Sequence, residues 1–309
     1  MSLKWRSKIL LAEIESTYGT DPVPQAVNGI LAKDITISPM LGNDVDRELE
    51  LPYFGGTGTI PVNLHAKMSF MVELAPSGTA GVAPGWGPLM RACGNAETIA
   101  AGTSVTYNPI TDDPESVTLY FQVEGTLYKL IGARGTCKFE LTASGLPYLS
   151  FEIWGLFTDP VEAARTMPVL TGFQKPQEVT TQNTPVFTVN GETLVLRQLN
   201  LDTEKEVEPR FLVGQEEILI TDGVGKIDAT VNAVALTTLD PYALAKAAAN
   251  MPIVLTHGTG AGRIATINVP NAQLQRPEGL ANSQNIVEWP LSFVTVPVTG
   301  NDQWTLTLT

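Results

Sequence analysis

Histidine and cysteine are almost missing from this chain: two of each in 309 residues. Cys93 and Cys137 are too few and too far apart for a disulfide framework or a zinc motif, so they read as buried thiols in a reducing cytoplasm. Long apolar runs are missing too. The opening Met1-Ser-Leu-Lys-Trp-Arg-Ser-Lys-Ile-Leu-Leu-Ala-Glu has a basic start but only a four-residue apolar stretch. It lacks a signal-peptide core, and no segment approaches a membrane span. Charge is sparse, at 17% of residues against a usual fraction of about 25%. Positive charge is sparsest. Residues 1–170 carry 18 acidic and 11 basic side chains, residues 171–309 carry 14 and 8, and the net charge is −13. Phosphate neutralisation needs clustered Lys and Arg, so an acidic chain without a basic run is a poor candidate for gripping nucleic acid but suits plain solubility or a surface past which DNA slides.

What is present is a hydrophobic fraction of 43%, enough to exclude wholesale disorder. A folded chain of this length buries roughly three quarters of its extended surface. The dominant pattern is period-2 alternation cut by Gly, Pro and Asn-Asp turns, the mark of antiparallel sheet with one buried face. It runs through Ile35–Ile37, Val62–Leu74, Val117–Val123, Lys138–Thr142 and Leu149–Trp154. It returns in Thr193–Leu201, Glu216–Thr221, Lys226–Ala235, Pro252–Thr256, Ile264–Val269, Val287–Val296 and Trp304–Leu308. Two short helices are expected. One covers Gly87–Cys93, led by Pro88; the other covers Leu239–Ala249, with Asp240 as N-cap and Pro241 in the first turn.

The helices hold corresponding places in two halves. Glu50-Leu-Pro52-Tyr-Phe54 matches Val207-Glu-Pro209-Arg-Phe211, Ser116-Val-Thr-Leu matches Pro252-Ile-Val-Leu, and Phe151-Glu-Ile-Trp154 matches Val287-Glu-Trp289. The shared order points to duplication, with an insertion around Ala96–Glu115 in the first copy. The fold expected is mainly β: two tandem antiparallel β-sandwich or barrel domains, each flanked by a short helix. Residues 1–25 read as an arm broken by Pro22 and Pro24, 26–158 as the first domain, 159–184 as a Pro-rich linker and 185–309 as the second domain.

No catalytic, cofactor or metal site emerges. His65 sits in an alternating strand. His257-Gly-Thr-Gly-Ala-Gly-Arg263 resembles a phosphate cradle, but a strand pattern follows it where a helix is required, so a hairpin loop is the better reading. The neighbours Glu216-Glu217 and Asp112-Asp113 fall on opposite faces of a strand and share no proton. Association is better represented. Leu49, Leu51, Tyr53 and Phe54 crowd a Gly-flanked hairpin segment, and Phe211 and Leu212 occupy its counterpart; they either dock on a neighbour or fold back on their own domain. Trp154 and Trp289 hold matching places in the two halves, which points to core.

Ile9-Leu-Leu-Ala-Glu-Ile-Glu-Ser-Thr-Tyr-Gly-Thr-Asp-Pro22 and Leu31-Ala-Lys-Asp-Ile-Thr-Ile-Ser-Pro-Met40 resemble the start of major tail tube proteins from flexible-tailed, transposable Pseudomonas-type phages. Ser116-Val-Thr-Leu-Tyr-Phe121, Leu130-Ile-Gly-Ala-Arg-Gly135 and Gly300-Asn-Asp-Gln-Trp-Thr-Leu-Thr-Leu308 extend the likeness over the chain. The resemblance implies a non-enzymatic β-sandwich in stacked rings of six units, hence three duplicated chains. It implies a virion tail tube assembled in the host bacterial cytoplasm, with tape measure, tail terminator and tail tip proteins as partners. DNA transits the lumen without specific binding. By position, residues 44–59, 203–215 and 1–25 would join successive rings, and Glu206, Glu208, Glu216 and Glu217 would face the lumen. The competing expectation is a receptor- or carbohydrate-binding β-sandwich with an aromatic ligand face.

Overall fold

The computed structural model describes residues 4–309. The first half opens with strand β1 (Lys8–Ile14), where Ile9, Leu10, Leu11 and Ala12 are all buried. Leu10 and Ala12 enter the main core, while Ile9 and Leu11 enter a second cluster with Tyr120 and Leu127. A strand covered on both faces reads as an unbroken apolar run. Residues 1–3 of the expected arm over 1–25 lie outside the described residues. Within it a strand is paired into the sheet, and Glu15 clamps the segment that follows. Its buried carboxylate accepts hydrogen bonds from Gly19 N, Ser116 Oγ, Thr118 Oγ1 and Gly132 N at 2.6–2.8 Å.

Strands β2 (Ala32–Asp46) and β3 (Thr59–Glu73) then form a long hairpin, followed by helix α1 (Gly87–Ala92). The insertion is a hairpin of β4 (Asn95–Ala100) and β5 (Ser104–Pro109). A meander of β6 (Val117–Val123), β7 (Thr126–Thr142) and β8 (Tyr148–Leu156) completes the half, with short β9 (Val161–Glu162) beside β7.

The second half contains β10 (Val186–Val189), β11 (Glu192–Thr193) and β12 (Leu196–Asp202). Next come the hairpin β13 (Lys205–Leu212) and β14 (Gln215–Gly223), then β15 (Lys226–Asn232). Helix α2 (Pro241–Lys246) starts where Asp240 accepts hydrogen bonds from Tyr242 N and Ala243 N, both at 3.0 Å. Strands β16 (Asn250–His257), β17 (Ala265–Leu274), β18 (Ala281–Ser283), β19 (Ile286–Thr295) and β20 (Thr305–Leu308) finish the chain.

The two halves follow one antiparallel pairing plan. In the first, β1 pairs with β6, β6 with the start of β7, the end of β7 with β8, β8 with β3 and β3 with β2. In the second, β10, β16, β17, β19, β15 and β12 repeat those contacts in the same order. β7 crosses from one sheet to the other through an irregularity between Ile131 and Arg134, where Gly132 takes φ +57°. A side chain there would lie 2.8 Å from the Tyr18 ring, so the position needs glycine for both reasons.

Two further contacts fuse the halves. The end of β7 pairs with β12 from Lys138↔Asp202 to Thr142↔Gln198. β20 bridges β17 to β5, giving the first half's insertion a structural task. One core therefore runs through the chain, and Trp304 of the second half meets Phe139 of the first edge-on at 5.5 Å. The linker is also tied down: Val179 is buried, and its N–H and that of Ser144 exchange bonds with Gly145 O and Val179 O.

Candidate assembly surfaces

Fusing the halves yields an eight-stranded sheet in the order β2-β3-β8-β7-β12-β15-β19-β17, which does not close into a barrel. One face supplies the core through Met68, Phe70, Phe151, Phe139, Leu201, Ile227 and Phe293. The other is polar and continuous. Lys33, Met71, Ser150, Lys138, Asp202, Lys226 and Val294 stand in one row across seven strands. Glu73, Tyr148, Glu140, Asn200, Asp228 and Ser292 form the next. Opposite charges meet on this face: Lys67 pairs with Glu152 at 2.9 Å, and Lys226 with Asp228 at 3.4 Å.

The sheet's two ends differ from its middle. β12 has a neighbour on both sides, so Leu201 is fully buried between Ile227 and Phe139. β2 pairs only with β3 among the described residues. Ile37 holds in β2 the place of Leu201 in β12, because Met68 and Ile227 stand equally far from the ends of β3 and β15. Ile37 is half-exposed and lines an apolar groove of about 240 Å³ with Trp5, Pro39, Phe121, Val123 and Tyr128. At the far end, Leu280 is 64% exposed.

The two long hairpins also differ. β13–β14 is docked at its base on the first half. Ile218 N donates to Tyr18 Oη at 2.6 Å, Arg134 Nη1 donates to Ile218 O at 2.9 Å, and Phe211 lies 6.2 Å from the His65 ring. Lys205 is drawn inward, its N–H donating to Thr136 Oγ1 at 3.1 Å, and burial lowers its pKa. Of the expected contact residues, Phe211 is half-buried and Leu212 exposed at the tip. On the β2–β3 hairpin, Leu49, Leu51, Tyr53 and Phe54 are all exposed, Phe54 completely. They have not folded back onto their own half. Glu206, Glu208, Glu216 and Glu217 all ride on β13–β14, none on the eight-stranded sheet; the first three are exposed, and Glu217 accepts from Gln215 Nε2 at 2.5 Å.

The remaining candidates have structural surroundings. The run after His257 is a loop joining β16 to β17, and two of its glycines press against backbone: a Cβ on Gly258 would sit 2.0 Å from Arg263 O and one on Gly262 2.5 Å from Gly78 C. His257 is buried, with Nδ1 2.9 Å from Thr184 Oγ1 and Nε2 3.2 Å from Gln177 O, and burial lowers its pKa. Cys93 and Cys137 are buried free thiols, and burial pushes Cys93 up. No group of three or more His, Cys, Asp or Glu side chains is arranged for a metal among the described residues. The matched tryptophans need correcting. Trp289 faces the core, but Trp154 lies on the polar face beneath Lys67, 4.5 Å from its ring centre, because Trp289 is equivalent in register to Leu149. Trp86 and Trp304 are buried as well.

An open mainly-β sheet with unmatched ends, projecting apolar hairpins and a polar face is the anatomy of a structural subunit. The chain belongs to the phage tail tube protein family, whose family model matches residues 5–300. This is a family of structural proteins rather than of enzymes. No curated protein matches the chain. Membership places the protein in the virion, self-assembling into a tube and touching other tail proteins. Sequence reasoning missed the unmatched sheet ends, because pairing between strands distant in the chain, such as β3 with β8 and β7 with β12, leaves no local signal.

Proposed function

We propose that three copies of this chain close into a ring of six sandwich units, and that stacked rings form the tail tube of a long flexible-tailed phage through which genomic DNA is delivered. The observation that carries this reading is the β7–β12 joint. One chain already holds two units edge to edge, and its outer ends expose the parts that the joint buries. Unpaired strand edges are unstable in isolation, and a head-to-tail interface closes into a ring when its rotation permits. Two units per chain, read as a duplication with units at 26–158 and 185–309, make three chains sufficient for six.

In this ring the polar sheet face lines the lumen. Its lysines and carboxylates nearly cancel, so DNA meets no dense positive charge to hold it. Residues 44–59 and 203–215 reach the next ring, with Leu49, Leu51, Tyr53, Phe54, Phe211 and Leu212 supplying apolar contact. Of the four glutamates, Glu206, Glu208 and Glu217 share one face of β13–β14 and then face the passage where rings meet, while Glu216 stands on the other face opposite Phe211. Tape measure, terminator and tip proteins complete the tail in the host cytoplasm. Negative-stain microscopy of the purified chain tests this. Rings or tubes with a central hole are expected, and strictly monomeric particles at high concentration contradict it.

A further inference from the structure

We infer that the joint between neighbouring chains copies the joint inside the chain, with strand β2 of one chain pairing antiparallel with the β17–β18 segment of the next, in the register Thr36↔Ala281 and Lys33↔Ser283. This rests on the ring reading above and adds the partner strand and its register.

The register follows from pairings already described. Inside the chain, Asn200 pairs with Glu140 and Gln198 with Thr142. Thr36 corresponds to Asn200, since Thr36 pairs with Ser69 and Asn200 with Asp228, each four residues before the end of its strand. By the same measure Lys33, opposite Met71, corresponds to Gln198, opposite Thr230. On the other side, Glu140 pairs with Tyr148, the partner of the last residue of β3. Ala281 pairs with Glu288, the partner of the last residue of β15. Ala281 is thus the counterpart of Glu140, and Ser283 that of Thr142. The extra residue between Lys33 and Thr36 is taken up by a bulge where Asp34 has φ +52°.

Side chains agree with the backbone. The counterpart of Phe139, one residue before Glu140, is Leu280. Phe139 is fully buried against Leu201, whereas Leu280 is 64% exposed. Leu201 corresponds to Ile37, which borders the apolar groove with Val123 and Tyr128. The inferred register brings Leu280 onto Ile37, so an exposed apolar side chain and an open apolar groove cover each other. The intervening segment differs from β7: two additional residues around Pro277 bow it outward, and Arg276 and Glu278 are exposed there.

The test is a full-length Thr36→Cys, Ala281→Cys double variant, oxidised after assembly and run without reductant. The two positions stand at opposite ends of the sheet, separated by seven strand spacings or about 34 Å along it, so a bridge between them must join two chains. Directly opposed residues have Cα atoms about 4.5–5.5 Å apart, within disulfide range. The native cysteines are buried and do not compete. A ladder ending at a closed three-chain band is expected. Lys33→Cys with Ser283→Cys should behave likewise, and the misregistered pair Thr36→Cys with Ser283→Cys should cross-link about tenfold less. Tubes in the microscope without cross-linking of either matched pair would overturn the joint and leave the ring reading standing. Ladders running past three chains would keep the joint and overturn the three-chain ring. Uncross-linked monomers throughout would overturn both.

Discussion

Leu201 and Ile37 occupy the same place in the two halves, yet one is sealed in the core and the other stands half in solvent. Their strands are similar; the difference is the neighbour. β12 lies against β7, whereas no strand among the described residues pairs with the outer edge of β2, where Lys8 Nζ alone donates to Ile35 O at 3.4 Å. The hairpins repeat the contrast, since β13–β14 rests on the first half and the tip of β2–β3 projects. Within one molecule, therefore, the second unit is seen assembled and the first unit is seen bare.

The sharpest way to break this comparison is to put one charge at both places. Leu201→Asp buries a carboxylate with no partner and should destabilise the chain by more than about 4 kcal/mol, leaving little soluble folded protein. Ile37→Asp should leave thermal unfolding of the isolated chain nearly unchanged and abolish ring formation, read by size-exclusion chromatography. Equal damage to the fold from both would end the contrast. Next in size, replacing Leu51, Tyr53 and Phe54 together with Ser should give folded protein that forms rings and fails to stack. Intact tubes from that variant would remove the hairpin from the stacking contact.

Smaller effects probe how the halves are held together. His257 clasps the linker to β16 through Thr184 and Gln177, with Glu178, Lys175 and Arg263 nearby. Burial depresses its pKa, so the unfolded chain takes up the proton first. Its contribution is complete above about pH 6.5 and is lost as the pH falls below that value. Denaturant titrations should show the decline, and His257→Gln should flatten it. Tyr18→Phe removes the acceptor for Ile218 N and should cost about 1 kcal/mol, seen as faster amide exchange in β13–β14.

Much of the fold was legible because one-sided burial writes itself as alternation, as along Val62–Leu74, and because Asp240 and Pro241 mark a helix start by local chemistry. β1 carries no such mark for the complementary reason: Ile9 to Ala12 are buried on both faces, and a short unbroken apolar run has no period. The residue types around Trp154 and Trp289 mimic a matching register, but Trp154 stands five residues beyond Leu149, the equivalent of Trp289, and any odd shift along a strand reverses the face. The apolar hairpin tip was visible as composition out of place. The sheet ends were not, since Ile37 and Leu201 look alike until their neighbours are known.

The most direct test of the central claim is the mass of a single ring set against its symmetry. Native mass spectrometry of isolated rings, paired with averaged end-on microscope views, should give three chains per ring and six similar lobes. Six chains per ring, or three lobes without a sixfold repeat, would contradict the view that the joint inside the chain is the joint that builds the tube.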